Sequence, residues 1–229
     1  MSVESLVNAL REHCRLVDLS AEVRPGIMYA DGRYRWGEAR RRFELKQWVS
    51  MGNHYQTFID AGSHVGTHVD MPSHIREGAR RPDGGELAAA DMPLESFFGE
   101  AIAIDCNGLA AGAAGRPGVG PEHLRGVRAG DIVLLWSSQP GPAQPALSLE
   151  AARHLASLPI KMIGVQGVIV PYEQHVALLG RADGPIPIIE ELEHCEELRA
   201  ERFLFFGLPM RVHHLEASWI RAIAFETKG

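Results

Sequence analysis

Five segments in the second half of the chain limit its fold most. GDIVLLW, IKMIGV and IPIIEEL are apolar runs of strand length, and two helical stretches fall between them. SLEAARHLASL has Ser148 as its N-cap and Glu150 in its first turn, where an acid suits the positive end of the helix dipole. PYEQHVALLG has Pro171 early and Gly180 just past its end, the usual asymmetry of helix termini. Strands and helices in alternation pack as layers of an α/β fold. The first half is dominated by strands instead: RLVDLS, FELKQWVS, HYQTFIDAG and EAIAIDC follow a short amphipathic helix over residues 4–14. ELAAADMPLESFFG suggests short helical pieces. Beyond the alternating region, EHCEELRA reads as a helix, and RFLFFGLPM and SWIRAIAFE as strands. The expected fold class is α/β, a single domain over residues 1–229 with a mixed β-sheet flanked by helices. A chain of 229 residues is long enough to bury one such core.

Bulk properties narrow the partners. Net charge is −6 and no basic patch stands out, which argues against nucleic acid. No apolar run reaches the length of a membrane span, and the start, MSVESLVNALREHC, lacks the apolar region of a signal peptide. The three cysteines, Cys14, Cys106 and Cys195, show no knuckle or redox spacing. A reduced cytoplasmic protein acting on a small molecule, with no membrane partner, is the expectation.

Chemistry concentrates at SHVGTHVDMPSH, residues 63–74. Four of the eleven histidines lie between positions 54 and 74. Imidazole and carboxylate together suit zinc, manganese or iron. His68 and Asp70 are two apart, so on an extended chain they share a face with Cα atoms roughly 7 Å apart. His64 would then lie about 13 Å from His68 along a strand, too far for one ion. The chain is therefore expected to bend between them, and Gly66 is the residue that permits it. Pro72 then ends the strand and redirects the chain before His74. Three ligands from one short stretch, with positions left over, describe a catalytic rather than a structural site. His54 is better read as an ordinary strand histidine.

HVGTHVDMPSH also matches the pattern HxGTHxDxPxH and resembles the signature of the cyclase family of metal-dependent hydrolases, which includes bacterial kynurenine formamidase and isatin hydrolase. Similarity extends to DLS at 18–20, GDIVLLW, SLEAARHLASLPIKMIG, HVALLG with IPIIEEL, and IRAIAFE. The resemblance implies a cyclase-like fold of the swivelling β/β/α type. It implies that His64, His68 and Asp70 bind one divalent ion, Zn2+ or Mn2+. Asp70 would face a second ion where two are bound, His175 would ligate at that second position, and Glu190 would be the remaining carboxylate, at one ion or bridging both. His74 would move protons. Spacing alone would have chosen neither His175 nor Glu190. The implied reaction is hydrolysis of a small-molecule amide, either a formamide or a cyclic amide, or of a lactone, by water that the metal makes acidic. Imidazole suits the proton transfer because its pKa lies near neutrality. With the long arm over residues 24–48, the resemblance also favours a homodimer or homotetramer.

Several positions depart from the family pattern. VQGVIV follows IKMIG, with Gln166 and Gly167 where an aspartate and a serine are common. Ser137 and Ser138 replace threonine-glycine after the central strand. RADGP lengthens the step from His175 to Glu190. The arm RPGIMYADGRYRWGEARRRFELKQW is unlike the short segment of kynurenine formamidases, in which a tryptophan meets the substrate; Trp36 is the candidate counterpart. These departures turn the expectation away from N-formylkynurenine while leaving the metal chemistry intact. Two other readings use the same residues: a metal-stabilised binding protein with altered activity, and a phosphoesterase using Arg76, Arg80 or Arg81.

Overall fold

The computed structural model of the chain describes residues 2–24, 43–110 and 115–228. These contain three α-helices, α1 (Val3–His13), α2 (Leu149–Ser157) and α3 (Tyr172–Leu179). The strands are β1 (Cys14–Asp18), β2 (Phe43–Val49), β3 (Tyr55–Ala61), β4 (His68–Asp70), β5 (Phe98–Asp105), β6 (Gly118–Val119), β7 (Ile132–Trp136), β8 (Ala146–Leu147), β9 (Met162–Gln166), β10 (Ile188–Glu190), β11 (Arg202–Phe206), β12 (Ala217–Trp219) and β13 (Ile223–Thr227). Nine of them make one mixed sheet in the order β1-β13-β11-β5-β7-β9-β10-β4-β12. Its centre, β5 to β10, is parallel. Both flanks are antiparallel.

The parallel strands read as unbroken apolar runs because both of their faces are covered. Val133, Leu135, Ile163, Val165 and Ile188 pack with Ala151, Ala152 and Leu155 of α2 and with Leu178 and Leu179 of α3. The alternate residues Ile132, Leu134, Met162 and Ile189 enter a second cluster. That cluster also holds Val17, Phe203, Phe205 and Ala224 from one end of the sheet and Val69 from the other. Both ends can reach one cluster only if the sheet curls around it. The ends do come together: β12 lies at one edge and β13 one strand in from the other, yet only residues 220–222 separate them, a span of at most about 14 Å.

The α/β class, the mixed sheet and the α2 and α3 caps agree with expectation. Ser148 Oγ accepts the Ala151 N–H at 3.0 Å, and Gly180 N–H closes α3 onto Val176 O. Three segments differ. SWIRAIAFE is two strands rather than one, because the Ala222 N–H leaves the sheet for Ser20 Oγ while the Leu19 carbonyl opposite it accepts from Glu193. EHCEELRA forms only a 3-10 turn over Cys195–Glu197. The turn does not continue, because the Arg199 and Ala200 N–H groups, which a helix would turn back to residues 195 and 196, donate to Glu226 at 2.8 and 3.1 Å. ELAAADMPLESFFG holds one 3-10 turn, Leu94–Phe97.

Among the described residues, β2 and β3 pair only with each other, as a ribbon outside the main sheet. The Phe43 ring at its root meets Trp219 edge-on, with centroids 6.1 Å apart. Residues 25–42 of the arm, and Trp36 with them, lie outside the described residues. No helix among the described residues is long and apolar enough to cross a membrane.

Candidate metal centre

β4 places His68 and Asp70 on one face while Val69 between them points into the second core cluster. Gly66 supplies the expected bend. Its φ is +67°, and a Cβ there would come within 2.4 Å of Val23 Cγ2. The turn carries His64 back toward His68, with ring centroids 4.8 Å apart. After the strand, Pro72 opens a 3-10 turn, Pro72–His74, which returns His74 to the same face, 4.6 Å from the His64 ring. Glu190 arrives by strand pairing, because it is the residue of β10 directly opposite His68. His175 arrives from α3, where its Nδ1 lies 3.1 Å from Pro171 O, four residues back.

All five expected ligands and His74 therefore meet around one carboxylate. Asp70 Oδ1 lies 3.2 Å from His64 Nδ1 and 3.5 Å from His68 Nε2. Asp70 Oδ2 lies 3.7 Å from His175 Nε2 and 3.9 Å from His74 Nε2. Glu190 faces His175 Nε2 at 3.6 Å and His68 Nε2 at 3.8 Å. The side chains fall into two groups that share Asp70: His64, Asp70 and His74, and His68, Asp70 and Glu190, each with ligand atoms within 4.8 Å of one another. His64 Nδ1 and His68 Nε2 also face one and the same oxygen, Asp70 Oδ1.

A divalent cation suits this donor set. His68 is 0% and Asp70 1% exposed, yet His68 Nε2 and both Asp70 oxygens take no hydrogen bond from the described residues. Buried polar atoms of this kind normally have a partner, and three ligand-type atoms left over at one point are what a metal uses. His68 Nδ1 is held on Gly66 O at 2.8 Å, which leaves Nε2 as its ligand atom.

The charges agree. Burial pushes the Asp70 pKa up, but the imidazoles of His175 and His64 outweigh it and hold the carboxyl well below the usual carboxylate range. Burial opposes protonation of His175, while Asp70 and Glu190 favour it more strongly, so its pKa is raised to about 10. His74 goes the other way. Burial, with the nearby His64 and His175, lowers its pKa despite Asp70.

A cavity of about 890 Å³ opens at the ends of β7, β9 and β10, with Ser137, Ser138, Gln166, Gly167 and Glu190 in its wall. Four of the residues that depart from the family pattern, Ser137, Ser138, Gln166 and Gly167, thus share a cavity wall with Glu190. Gln166 is committed to the fold: its Oε1 accepts the Cys195 N–H and its Nε2 donates to Glu196, each at 2.7 Å. Gly167 has φ +60°, and a Cβ there would lie 2.1 Å from Ser137 O. Of the three arginines, Arg81 pairs with Asp83 and Asp91, Arg80 reaches the backbone of Arg76, and Arg76 is exposed. Two residues beside the cluster escaped sequence reasoning. Trp219 lies opposite His68 on β12, and Glu216 lies 3.3 Å from His64 Nε2.

The family model described as Putative cyclase matches residues 17–170. The chain belongs to this family. Its fold is similar to that of isatin hydrolase A from Labrenzia aggregata, at 25% identity and TM-score 0.78 over 100% of both chains. Isatin hydrolase A from Ralstonia solanacearum is 20% identical, with TM-score 0.71 over 98% of this chain and 97% of that one. A protein from Bacillus stearothermophilus, described as a predicted metal-dependent hydrolase, is 20% identical with TM-score 0.70, over 93% of this chain and 98% of its own. Among curated proteins none matches the sequence.

Proposed function

We propose that this cyclase-family chain is a metal-dependent hydrolase of a small-molecule amide, cyclic amide or lactone. The observation that carries the reading is the set of buried, unpartnered ligand atoms on Asp70 and His68, ringed by His64, His175 and Glu190. The likeness to isatin hydrolase A, whose name specifies a cyclic amide, supports the substrate class. His64, His68, Asp70, His175 and Glu190 would hold one or two ions, zinc or manganese, in a cytoplasmic homodimer or homotetramer. A divalent ion supplies Lewis acidity and an acidic water at neutral pH.

His74 serves as the proton carrier. Its lowered pKa keeps the imidazole neutral near pH 7, ready to accept a proton from the attacking water. It passes that proton to the departing nitrogen or oxygen as the C–N or C–O bond breaks. Asp70, 3.9 Å away, balances the charge while His74 holds the proton. No covalent enzyme intermediate is needed. Burial pushes both the Cys106 and Cys195 thiols up in pKa, so neither is a nucleophile at neutral pH.

The test is metal content followed by a screen of formanilides, isatin-like lactams, lactones and aryl phosphates, with wild type and His74→Ala. The variant should keep its metal and lose roughly 10²- to 10⁴-fold in kcat on a carbonyl substrate. Turnover of aryl phosphates alone, or no turnover of any carbonyl compound, would overturn the reading.

A further inference from the structure

Glu216 precedes β12 and is pinned to the cluster by its backbone, since its carbonyl accepts the Met71 N–H at 2.9 Å. Its carboxylate Oε1 accepts the Ser63 hydroxyl at 2.7 Å and faces His64 Nε2 at 3.3 Å. On the far side of the same ring, His64 Nδ1 faces Asp70 Oδ1 at 3.2 Å. His64 is thus oriented oppositely to its neighbours. His68 and His175 anchor Nδ1 on backbone carbonyls and turn Nε2 toward the carboxylates, whereas His64 turns Nδ1 inward and Nε2 outward. A neutral imidazole donates from one nitrogen and offers a lone pair on the other, so the partner of the outer nitrogen decides what the inner one can do.

We propose that Glu216, held by Ser63, is a positioning residue that takes the Nε2–H of His64, fixes the tautomer with its lone pair on Nδ1, and so makes Nδ1 the atom His64 offers to a divalent cation. This rests on the reading of His64 and Asp70 as metal ligands. Ser63 matters because its hydroxyl restrains the carboxylate rotor. Without it Glu216, whose side chain is 39% exposed, would turn to water.

The experiment uses the chelated full-length protein and Zn2+. Partners of this kind are worth about 10- to 100-fold in metal affinity, and the partial exposure of Glu216 points to the lower end. Competition titration should show Zn2+ binding weakened about tenfold in Glu216→Ala. Ser63→Ala should lose less. Glu216→Gln should stay near wild type, because its amide oxygen still accepts from Nε2–H. The thermal midpoint of the chelated Glu216→Ala protein should be unchanged, which separates positioning from a fold defect. On the Zn2+-loaded wild type, 15N NMR of the histidines should show His64 metallated at Nδ1 and protonated at Nε2. Wild-type Zn2+ affinity in Glu216→Ala, an equal loss in Glu216→Gln, or a metallated Nε2 overturns this inference and leaves the hydrolase reading standing. A wild type that binds no divalent metal overturns both.

Discussion

Replacing Gly66 by alanine strains the chain at two points. A left-handed backbone costs a residue with a Cβ roughly 1–2 kcal/mol, and φ here is +67°. The new Cβ also falls 2.4 Å from Val23 Cγ2, and overpacking of this kind costs about 1–3 kcal/mol. Val23 is half-buried and branched at Cβ, so it yields by moving the chain rather than by changing rotamer. The sum is about 2–5 kcal/mol, and the low end is expected because Val23 borders solvent. A second variant separates the two terms. With Val23→Ala the methyl is gone, so Gly66→Ala should cost only the backbone part, giving a coupling of about 1–2 kcal/mol in a double-mutant cycle. Urea unfolding of the chelated proteins measures this from the midpoint at constant m. Zinc affinity should fall in parallel, because Gly66 O anchors His68 Nδ1. A single variant within about 0.5 kcal/mol of wild type, or strictly additive variants, would refute the reasoning.

Three further outcomes are expected. Asp70→Ala should lower metal content more than His64→Ala or Glu190→Ala, because Asp70 faces three expected ligands, His64 and His68 with Oδ1 and His175 with Oδ2; elemental analysis after dialysis against Zn2+ checks this. The chelated protein should lose stability as pH rises from 7 toward 10. His175 has its pKa raised from 6.5 to about 10, so its contribution is complete below 6.5 and disappears through the folded value. Thermal unfolding in EDTA should show that slope in wild type and a shallower one in His175→Gln; equal slopes would contradict it. Glu226→Ala should cost about 2–3 kcal/mol without changing zinc affinity, since it strands Arg15 and the N–H groups of Arg199 and Ala200 far from the cluster; paired denaturation and metal titrations read both effects.

Local chemistry made part of this molecule legible. Ser148, Pro171 and Gly180 mark the ends of α2 and α3 because caps are decided by a few neighbouring residues. The two-residue step from His68 to Asp70 and the glycine before it foretold a shared face and a bend. What stayed hidden depends on pairing across the fold. Glu190 joins the cluster because β10 lies against β4, and nothing in IPIIEEL announces that neighbour. Family resemblance supplied Glu190 and His175, but not Glu216, whose importance arises only once residue 216 is brought beside Ser63 and His64. The failed helix at EHCEELRA has the same origin: Glu226, distant in sequence, accepts the Arg199 and Ala200 N–H groups that would continue it, a tertiary contact that no propensity scale contains. SWIRAIAFE keeps strand composition across its break, so only the Ser20 and Leu19 contacts reveal that it serves opposite sides of the sheet.

The strand order also dictates when the molecule can finish itself during synthesis. Among the described residues, β4, which carries His68 and Asp70, has β10 and β12 as its sheet neighbours, and β1 has β13. Both wait for segments translated more than a hundred residues later. A nascent chain emerging at about 5–20 residues per second must hold these unpaired edges for several seconds or more, a period when exposed strand edges favour aggregation. Residues 217–227, which hold β12 and β13, close the sheet at both ends. A truncation there should therefore cost the cell soluble protein as well as activity, although none of the expected metal ligands lies in the deleted segment.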